Sequence, residues 1–567
     1  MKHIVLLIIL FSFTSQLKAQ EERDFITFIN QQHDWVDSVY KKLNKRERIA
    51  QLFMVRAHTN LGQSYIDSVA KVIKKEKLGG VVLFQGGPVR HANLINRYQD
   101  LADVPLLIAI DGEWGLGMRL PDSTISYPYQ MALGAIQDNT LIYKMGQEVA
   151  KDLKRLGVNI NFAPVVDINN NPRNPVINYR SFGENRENVT QKGTAYMKGM
   201  MGEGVIVSLK HFPGHGDTDV NSHYDLPKLD FSKSRLDSLE IYPFKKLIEA
   251  GASGVMVAHL NIPSLDNTPN LPSSLSKHVV TDLLKNELNF NGLVFTDAMD
   301  MEGVVKYFKD GEADVRAIIA GSDVLELSQN SKRANKMIRK AIRKKRIDKE
   351  ELAKRIKKVL AAKYWLGLNN FKPIQTQSLY ADLNRDSAKS FNQLLADNAI
   401  TLLKGKEELL QNSFSKKTAV ISIGTEKISS FQRILGTSFD NQLNFILSSN
   451  ATAEEIVKVN SALRNYDQVI IALHDENSRP GSVLNYNENV KLFISELASK
   501  NSQFVVFANP YTLASFPGIE ASPVIIVAYQ NDEIMQNAGA KVFLRQLKAE
   551  GKLPVTVNSF FKYGDGL

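Results

Sequence analysis

Cysteine is absent from all 567 residues, which excludes disulfides, thiolate metal ligands, a cysteine nucleophile and a lipid-bearing cysteine behind a leader. Stability must come from packed cores, and a chain of this length with 43% hydrophobic residues can bury large ones. Nucleotide-binding signatures are missing as well. Neither GxGxxG nor a P-loop occurs, so no nucleotide cofactor is indicated, and the lack of an HExxH helix removes a common zinc signature. The longest apolar run, 4–13, is only ten residues, too few to span a bilayer as a helix. Lys2 and His3 precede it and Leu17-Lys18-Ala19 follows a polar stretch, so residues 1–19 read as a secretory signal cut after Ala19. The expectation is export to the periplasm or beyond, with no membrane span after the signal is removed.

Negative charge is in short supply: the formal net charge is +10. Fifteen of the 70 basic residues but only three of the 60 acidic ones fall within 331–363, so the rest of the chain is close to neutral. Within that segment Ile338, Ile342, Leu352, Ile356, Val359 and Leu360 recur at roughly helical spacing, which predicts a helix with one packed and one solvated face. No recognisable nucleic-acid module accompanies the charge, so nucleic acid is not an expected partner.

Short apolar runs appear at 49–55, 80–84, 106–110, 160–166, 205–209, 254–258, 293–296 and 323–327, with amphipathic helical stretches between most of them. Eight β-α units in just over 300 residues suit a (β/α)8 TIM-type barrel, assigned to 20–367 with the basic helix at its end. Residues 368–379 lack periodicity and read as a linker. A second alternation follows, with strands at 418–423, 443–447, 468–473, 504–508 and 524–528. It predicts a smaller doubly wound α/β domain over 380–567.

The histidines concentrate in 207–227, VSLKHFPGHGDTDVNSHYDLP, where an apolar strand ends and a Gly-, Asp- and His-rich loop begins. Three readings compete. His211, His215 and His223 could be solvated or structurally hydrogen-bonded; they could bind a metal, although Pro213, Gly214 and Gly216 break any helical ligand face; or the loop could move protons for a nucleophile on another strand end. Other strand ends supply partners: Asp111 and Glu113, Asp167, His259, and Asp297 with Asp300. In a parallel α/β barrel such groups stand at the catalytic face.

These motifs, KHFPGHGDTDVNSH, FTDAMDM, the RSFGE run at 180–184, IDGEWG at Asp111 and the terminal GKLPVTV, resemble glycoside hydrolase family 3, in its β-N-acetylhexosaminidase branch. The resemblance covers nearly all of the chain after the leader. It implies a retaining hydrolase of terminal β-linked N-acetylhexosamine on an amino-sugar glycan or muropeptide, with a barrel and a C-terminal α/β domain and no metal or organic cofactor. By motif matching, Asp297 takes the place of the nucleophile and His223 that of the acid/base, with Asp111, Arg180, Lys210 and His211 hydrogen-bonding the sugar. The chemistry suits the residue types: retention needs an attacking carboxylate and a second group that protonates the leaving oxygen and then deprotonates water, and imidazole can do the latter near neutrality. Two positions depart from the branch. Asn221 stands where an Asp usually orients the histidine, and IDGEWG replaces IDQEGG, bringing Trp114 near the sugar. A phosphorylase or β-glucosidase using the same residues, and a weakly catalytic sugar-binding protein, are the alternative readings.

Overall fold

The computed structural model describes residues 24–309, 311–405, 416–475, 484–500 and 502–567; the signal read at 1–19 lies outside them. The chain is α/β. Its first part carries a six-stranded parallel sheet of order β5-β4-β3-β2-β1-β9, where β1 is Phe53–Ala57, β2 Gly80–Leu83, β3 Leu107–Ile110, β4 Ile160–Asn161, β5 Ile206–Val207 and β9 Leu325–Glu326. A second parallel sheet joins β6 (Leu209–Phe212), β7 (Gly254–Val257) and β8 (Leu293–Thr296). Parallel bridges Val165 to Lys210 and Phe295 to Val324 link the edges of the two sheets.

The apolar runs are continuous because these strands are buried on both faces. Side chains alternate across a strand: Val81, Leu83, Ile108 and Ile110 enter one buried cluster, and Val82, Leu107 and Ala109 enter another. The second cluster also takes Ile338, Leu352, Ile356, Val359 and Leu360 from the basic segment, so its apolar stripe packs as the spacing predicts. That segment is two helices, Ser331–Arg343 and Lys349–Trp365.

Three boundaries differ from expectation. The run at 49–55 begins in the helix Lys45–Ala50, which Asn44 and Glu47 close with a capping box; a good helix start overrides an apolar run. The run at 160–166 pairs regularly only over Ile160–Asn161, and Pro164 has no N–H to extend a ladder. The run at 205–209 is split, β5 pairing with β4 and β6 with β7.

The remaining strands are β10 (Thr401–Lys404), β11 (Thr418–Ile423), β12 (Gln442–Leu447), β13 (Gln468–His474), β14 (Gln503–Phe507) and β15 (Val524–Val527). They form one sheet of order β10-β15-β14-β13-β11-β12, in which only β10 is antiparallel. Sequence reading passes over β10, a short edge strand whose burial is incomplete. Thr452 and Glu455 form the expected capping box at the helix Ala453–Leu463.

Candidate active site

A cavity of about 390 Å³ opens where the C-terminal ends of β1, β3, β6, β8 and β9 converge. Asp111, Arg180, Lys210, His211, Asn221, His223 and Asp297, the seven residues singled out from sequence, all line it. So do Arg56, Glu113, Trp114, Arg119, Tyr179, His215, Asp300 and Glu326.

One wall is an ion-pair network. Lys210 at the end of β6 donates to Asp111 Oδ1 at 2.8 Å and contacts Glu113 Oε1 at 2.8 Å. Arg180 grips Glu113 with Nε on Oε2 at 2.9 Å and Nη2 on Oε1 at 2.6 Å, the bidentate geometry that suits guanidinium and carboxylate. Arg119 pairs with the second oxygen of Asp111. Burial opposes ionisation of both acids, but the cations prevail: Glu113 falls to about 2 under Arg180 and Lys210, and Asp111 is held below the usual carboxylate range by Lys210 and Arg119. Glu113 is fully buried and so orients the cations, while Asp111 is partly open to the cavity.

The histidine loop hangs from one buried carboxylate. Asp167 accepts from the backbone N–H of His211 (3.1 Å), from His211 Nδ1 (2.7 Å) and from the backbone N–H of His215 (2.7 Å). Despite burial, the neighbouring His211 and His215 keep Asp167 below its ordinary value. His215 lies against Thr218 Oγ1 and Ser222 Oγ; burial, then His211, lowers it to about 4, so it is neutral at pH 7. The three histidines thus face separate partners. Among the described residues no cluster of three or more His, Asp and Glu side chains could hold a metal ion.

His223 is exposed on the loop, two residues after Asn221. Asn221 Oδ1 accepts from the His223 backbone N–H at 2.9 Å and faces His223 Nδ1 at 3.0 Å. A backbone N–H can only donate, so the amide oxygen is the atom facing both groups. Nδ1 therefore carries the proton of the neutral ring, and Nε2 is left with a free lone pair. Asp217, Asp219 and Asp225, alternative orienting groups on the same loop, make contacts elsewhere: Asp217 with Arg235, Asp219 with Asn171, and Asp225 with Lys306 and Tyr307.

Asp297 follows β8. Its backbone N–H donates to Val257 O at 3.0 Å, and Oδ1 accepts from the Ala298 N–H at 2.8 Å. Burial would raise its pKa, yet the fields of His259 and His211 and the Ala298 hydrogen bond lower it, leaving a carboxylate. Nearby Asp300 is paired with Arg56 at 3.0 Å. On the rim, Trp114, Tyr129 and Tyr179 pack as an aromatic group, with ring centroids 4.7 Å apart for Trp114–Tyr129 and 4.6 Å for Tyr129–Tyr179. Such faces suit the apolar side of a pyranose.

Sequence reading assigned no role to Tyr179, Arg119 or Glu326. Glu326 had a visible signal, an acid flanked by leucines in the apolar run VLEL; Tyr179 and Arg119 had none, since they reach the cavity from outside the strands. The C-terminal part of the chain supports one wall: Asn509 Nδ2 donates to Asn178 Oδ1 at 2.5 Å, Asn169 Nδ2 to Tyr511 at 3.1 Å, and Glu184 accepts from Thr556 N (2.8 Å) and Oγ1 (2.6 Å).

The model of the glycosyl hydrolase family 3 N-terminal domain matches residues 45–362. The β-hexosaminidase A of Pseudoalteromonas piscicida is 29% identical over 551 residues, covering 86% of this chain and 91% of that protein. The β-N-acetylglucosaminidase/β-glucosidase of Cellulomonas fimi is 25% identical over 520 residues, covering 88% and 87% respectively. A solved glycoside hydrolase family 3 β-N-acetylglucosaminidase from Paenibacillus sp. str. FPU-7 superposes with a TM-score of 0.77 at 29% identity, over 91% of this chain and 99% of that one. With its strand-end carboxylates, its ion-paired cavity wall and a family model spanning more than half its length, the chain belongs to glycosyl hydrolase family 3 and is a glycoside hydrolase acting on a carbohydrate.

Proposed function

We propose that this enzyme is an exported, retaining β-N-acetylhexosaminidase that removes terminal β-linked N-acetylglucosamine from an amino-sugar glycan or muropeptide. The observation that carries the reading is the pairing, in one cavity, of an ionised carboxylate without an ion pair among the described residues, Asp297, with an imidazole whose Nε2 is left free by its contact with Asn221. Asp297 attacks the anomeric carbon and the C–O bond to the leaving group breaks, the leaving oxygen taking a proton from the His223 imidazolium. A water then gives its proton to His223 Nε2 and displaces Asp297 from the sugar with retention. Asn221 orients the ring. Asp111, Arg180, Lys210 and His211 hold the hydroxyls, and Trp114 and Tyr179 meet the ring face. No step calls for a metal or an organic cofactor.

The names of the relatives from Pseudoalteromonas, Cellulomonas and Paenibacillus support N-acetylhexosamine as the sugar. We read the edge-linked sheets of the first part as a closed (β/α)8 barrel, with β5 and β6 as its fifth strand, and 380–567 as a separate α/β domain beyond the 368–379 linker. The N-terminal leader supports export.

Asp297→Asn should lower kcat by about 10³-fold or more, as loss of a nucleophile does, while the thermal unfolding midpoint stays unchanged. A 2-fluoro slow substrate should label Asp297, whereas labelling of Asp300 would sink the assignment. A panel of chromogenic β-glycosides differing at the 2-position, run with and without phosphate, reads the sugar and the acceptor: preferential turnover of the 2-acetamido substrate without phosphate supports the reading, and formation of a sugar 1-phosphate overturns hydrolysis.

A further inference from the structure

The cavity holds a carboxyl the mechanism does not use. Four cations line it, Arg56, Arg119, Arg180 and Lys210, against five carboxyls, Asp111, Glu113, Asp297, Asp300 and Glu326. Arg56 pairs with Asp300, Arg119 with Asp111, Arg180 with Glu113, and Lys210 bridges Asp111 and Glu113. Two carboxyls, Asp297 and Glu326, make no ion pair among the described residues, and with Asp297 ionised the four cations are already balanced by four anions. Glu326 is the carboxyl left over: it is only 4% exposed, and its Oε2 has no hydrogen-bond partner.

Its backbone is fixed on two sides. The Glu326 N–H donates to Thr296 Oγ1 at 3.0 Å and its carbonyl accepts from the Met299 N–H at 2.9 Å, while Met54 of β1 is its register partner. A buried, unsatisfied carboxyl is destabilising, and nothing in the packing of β9 calls for one. Burial, followed by the fields of Asp111 and Asp297, pushes Glu326 well above the ordinary carboxyl range, with Lys210 and Arg119 opposing more weakly. Burial without a cation partner favours the protonated acid, which has an O–H to donate.

We propose that the Glu326 carboxylic acid donates a hydrogen bond to an oxygen of the sugar bound against Asp297, making it a binding residue of the cavity floor. This rests on the reading of the cavity as the sugar site. The leaving-group side is the open side, where His223 is exposed; Glu326, buried at the floor, meets the sugar that is retained. The donor survives only while the acid is protonated. Since the free-enzyme pKa is raised, the contact persists above the pH at which an ordinary carboxyl ionises and is lost as pH rises through the raised value, where a carboxylate beside Asp111 and Asp297 would also repel the sugar's oxygens.

Calorimetry with N-acetylglucosamine and with glucose as probes, across pH, tests this in Glu326→Gln and Glu326→Leu. The amide still donates but cannot ionise. Glu326→Gln should keep neutral-pH affinity within about threefold and stay flat at alkaline pH where the wild type weakens; Glu326→Leu should lose roughly 3- to 10-fold in affinity for whichever sugar the wild type binds, the scale of one neutral hydrogen bond. Glu326→Leu should nevertheless unfold at an equal or higher temperature, because it removes an unsatisfied buried polar group. Wild-type affinity in Glu326→Leu, or a Glu326→Gln profile that weakens with the wild type's, overturns the proposal. So does a collapse of kcat in Glu326→Gln that added azide restores, which would make Glu326 the acid/base. Turnover surviving in Asp297→Asn while Glu326→Leu still binds weakly would refute the proposed mechanism and leave this contact standing.

Discussion

Asn221 does for His223 what a neutral residue can: its amide oxygen holds Nδ1–H, but it brings no charge to stabilise the imidazolium that the proposed proton transfer requires. A carboxylate at that position would favour the cation. Asn221→Asp should therefore move the alkaline limb of the pH–rate profile upward and raise turnover of substrates with poor leaving groups, with less gain for activated aryl glycosides, which need little protonation. Asn221→Ala, which frees the tautomer, should cost about 10²-fold in kcat for the poor leaving groups. An unchanged profile in both variants would mean that the ring is oriented by something else. At this scale most of the cavity is legible in the chain, because strand-end polar groups such as Asp111, Lys210 and Asp297 interrupt apolar runs. What stays hidden is pairing: nothing in the order of residues reveals that Glu113, not Asp111, takes the two-pronged grip of Arg180, or that Glu326 is left without a cation.

The element that delivers His223 is the loop after β6, and it is held closely to the chain beneath it. A Cβ on Gly216 would lie 1.8 Å from the carbonyl oxygen of Ile168, so any larger residue must lift the loop that carries His215, Asn221 and His223. Gly216→Ala should reduce kcat/KM by about 10²-fold, the scale set by ångström misplacement of a catalytic group, and should lower the unfolding midpoint; an alanine variant with full activity would show that the loop can shift without harm. From sequence Gly216 reads as a breaker of helical structure, whereas in the fold it serves close approach. Strand positions were readable from apolar runs, but their ends were not. A capping box claimed Ile49 and Ala50 for a helix, and a proline cut β4 short, since local backbone chemistry decides boundaries that hydrophobicity leaves open.

Across the whole molecule, the segment carrying Arg180 is fastened by residues far along the chain: the Glu184 N–H donates to Pro554 O at 3.1 Å and Glu184 Oε1 and Oε2 accept from Thr556, 372 positions away. Glu184→Ala should raise KM several-fold with kcat within about twofold, since the two exposed hydrogen bonds from Thr556 are lost behind the Arg180 wall of the cavity and none from the proposed reacting atoms; an equal fall in kcat would place Glu184 closer to the chemistry. A second molecular prediction concerns pH. Lys363, at the end of the basic segment, is completely buried with Nζ on Gln51 Oε1 at 2.6 Å, and burial lowers it to about 7. Its folded pKa is depressed below the ordinary lysine value, so the unfolded chain binds the extra proton between those values and the stability this group withholds at pH 7 and below is regained as pH rises. Lys363→Met should accordingly raise the unfolding midpoint more at pH 6 than at pH 9; the reverse order would show that the lysine is not neutral when buried. The Glu184–Thr556 clasp also has a consequence for synthesis on the ribosome. Arg180 and its turn emerge hundreds of residues before Pro554 and Thr556 do, so a nascent chain can fold its first sheets and carry Asp297 and His223 while the sugar-binding wall is still unfastened. Nascent chains arrested before 551 should bind substrate poorly, and the glycosidase should come on only when the clasp has cleared the exit tunnel.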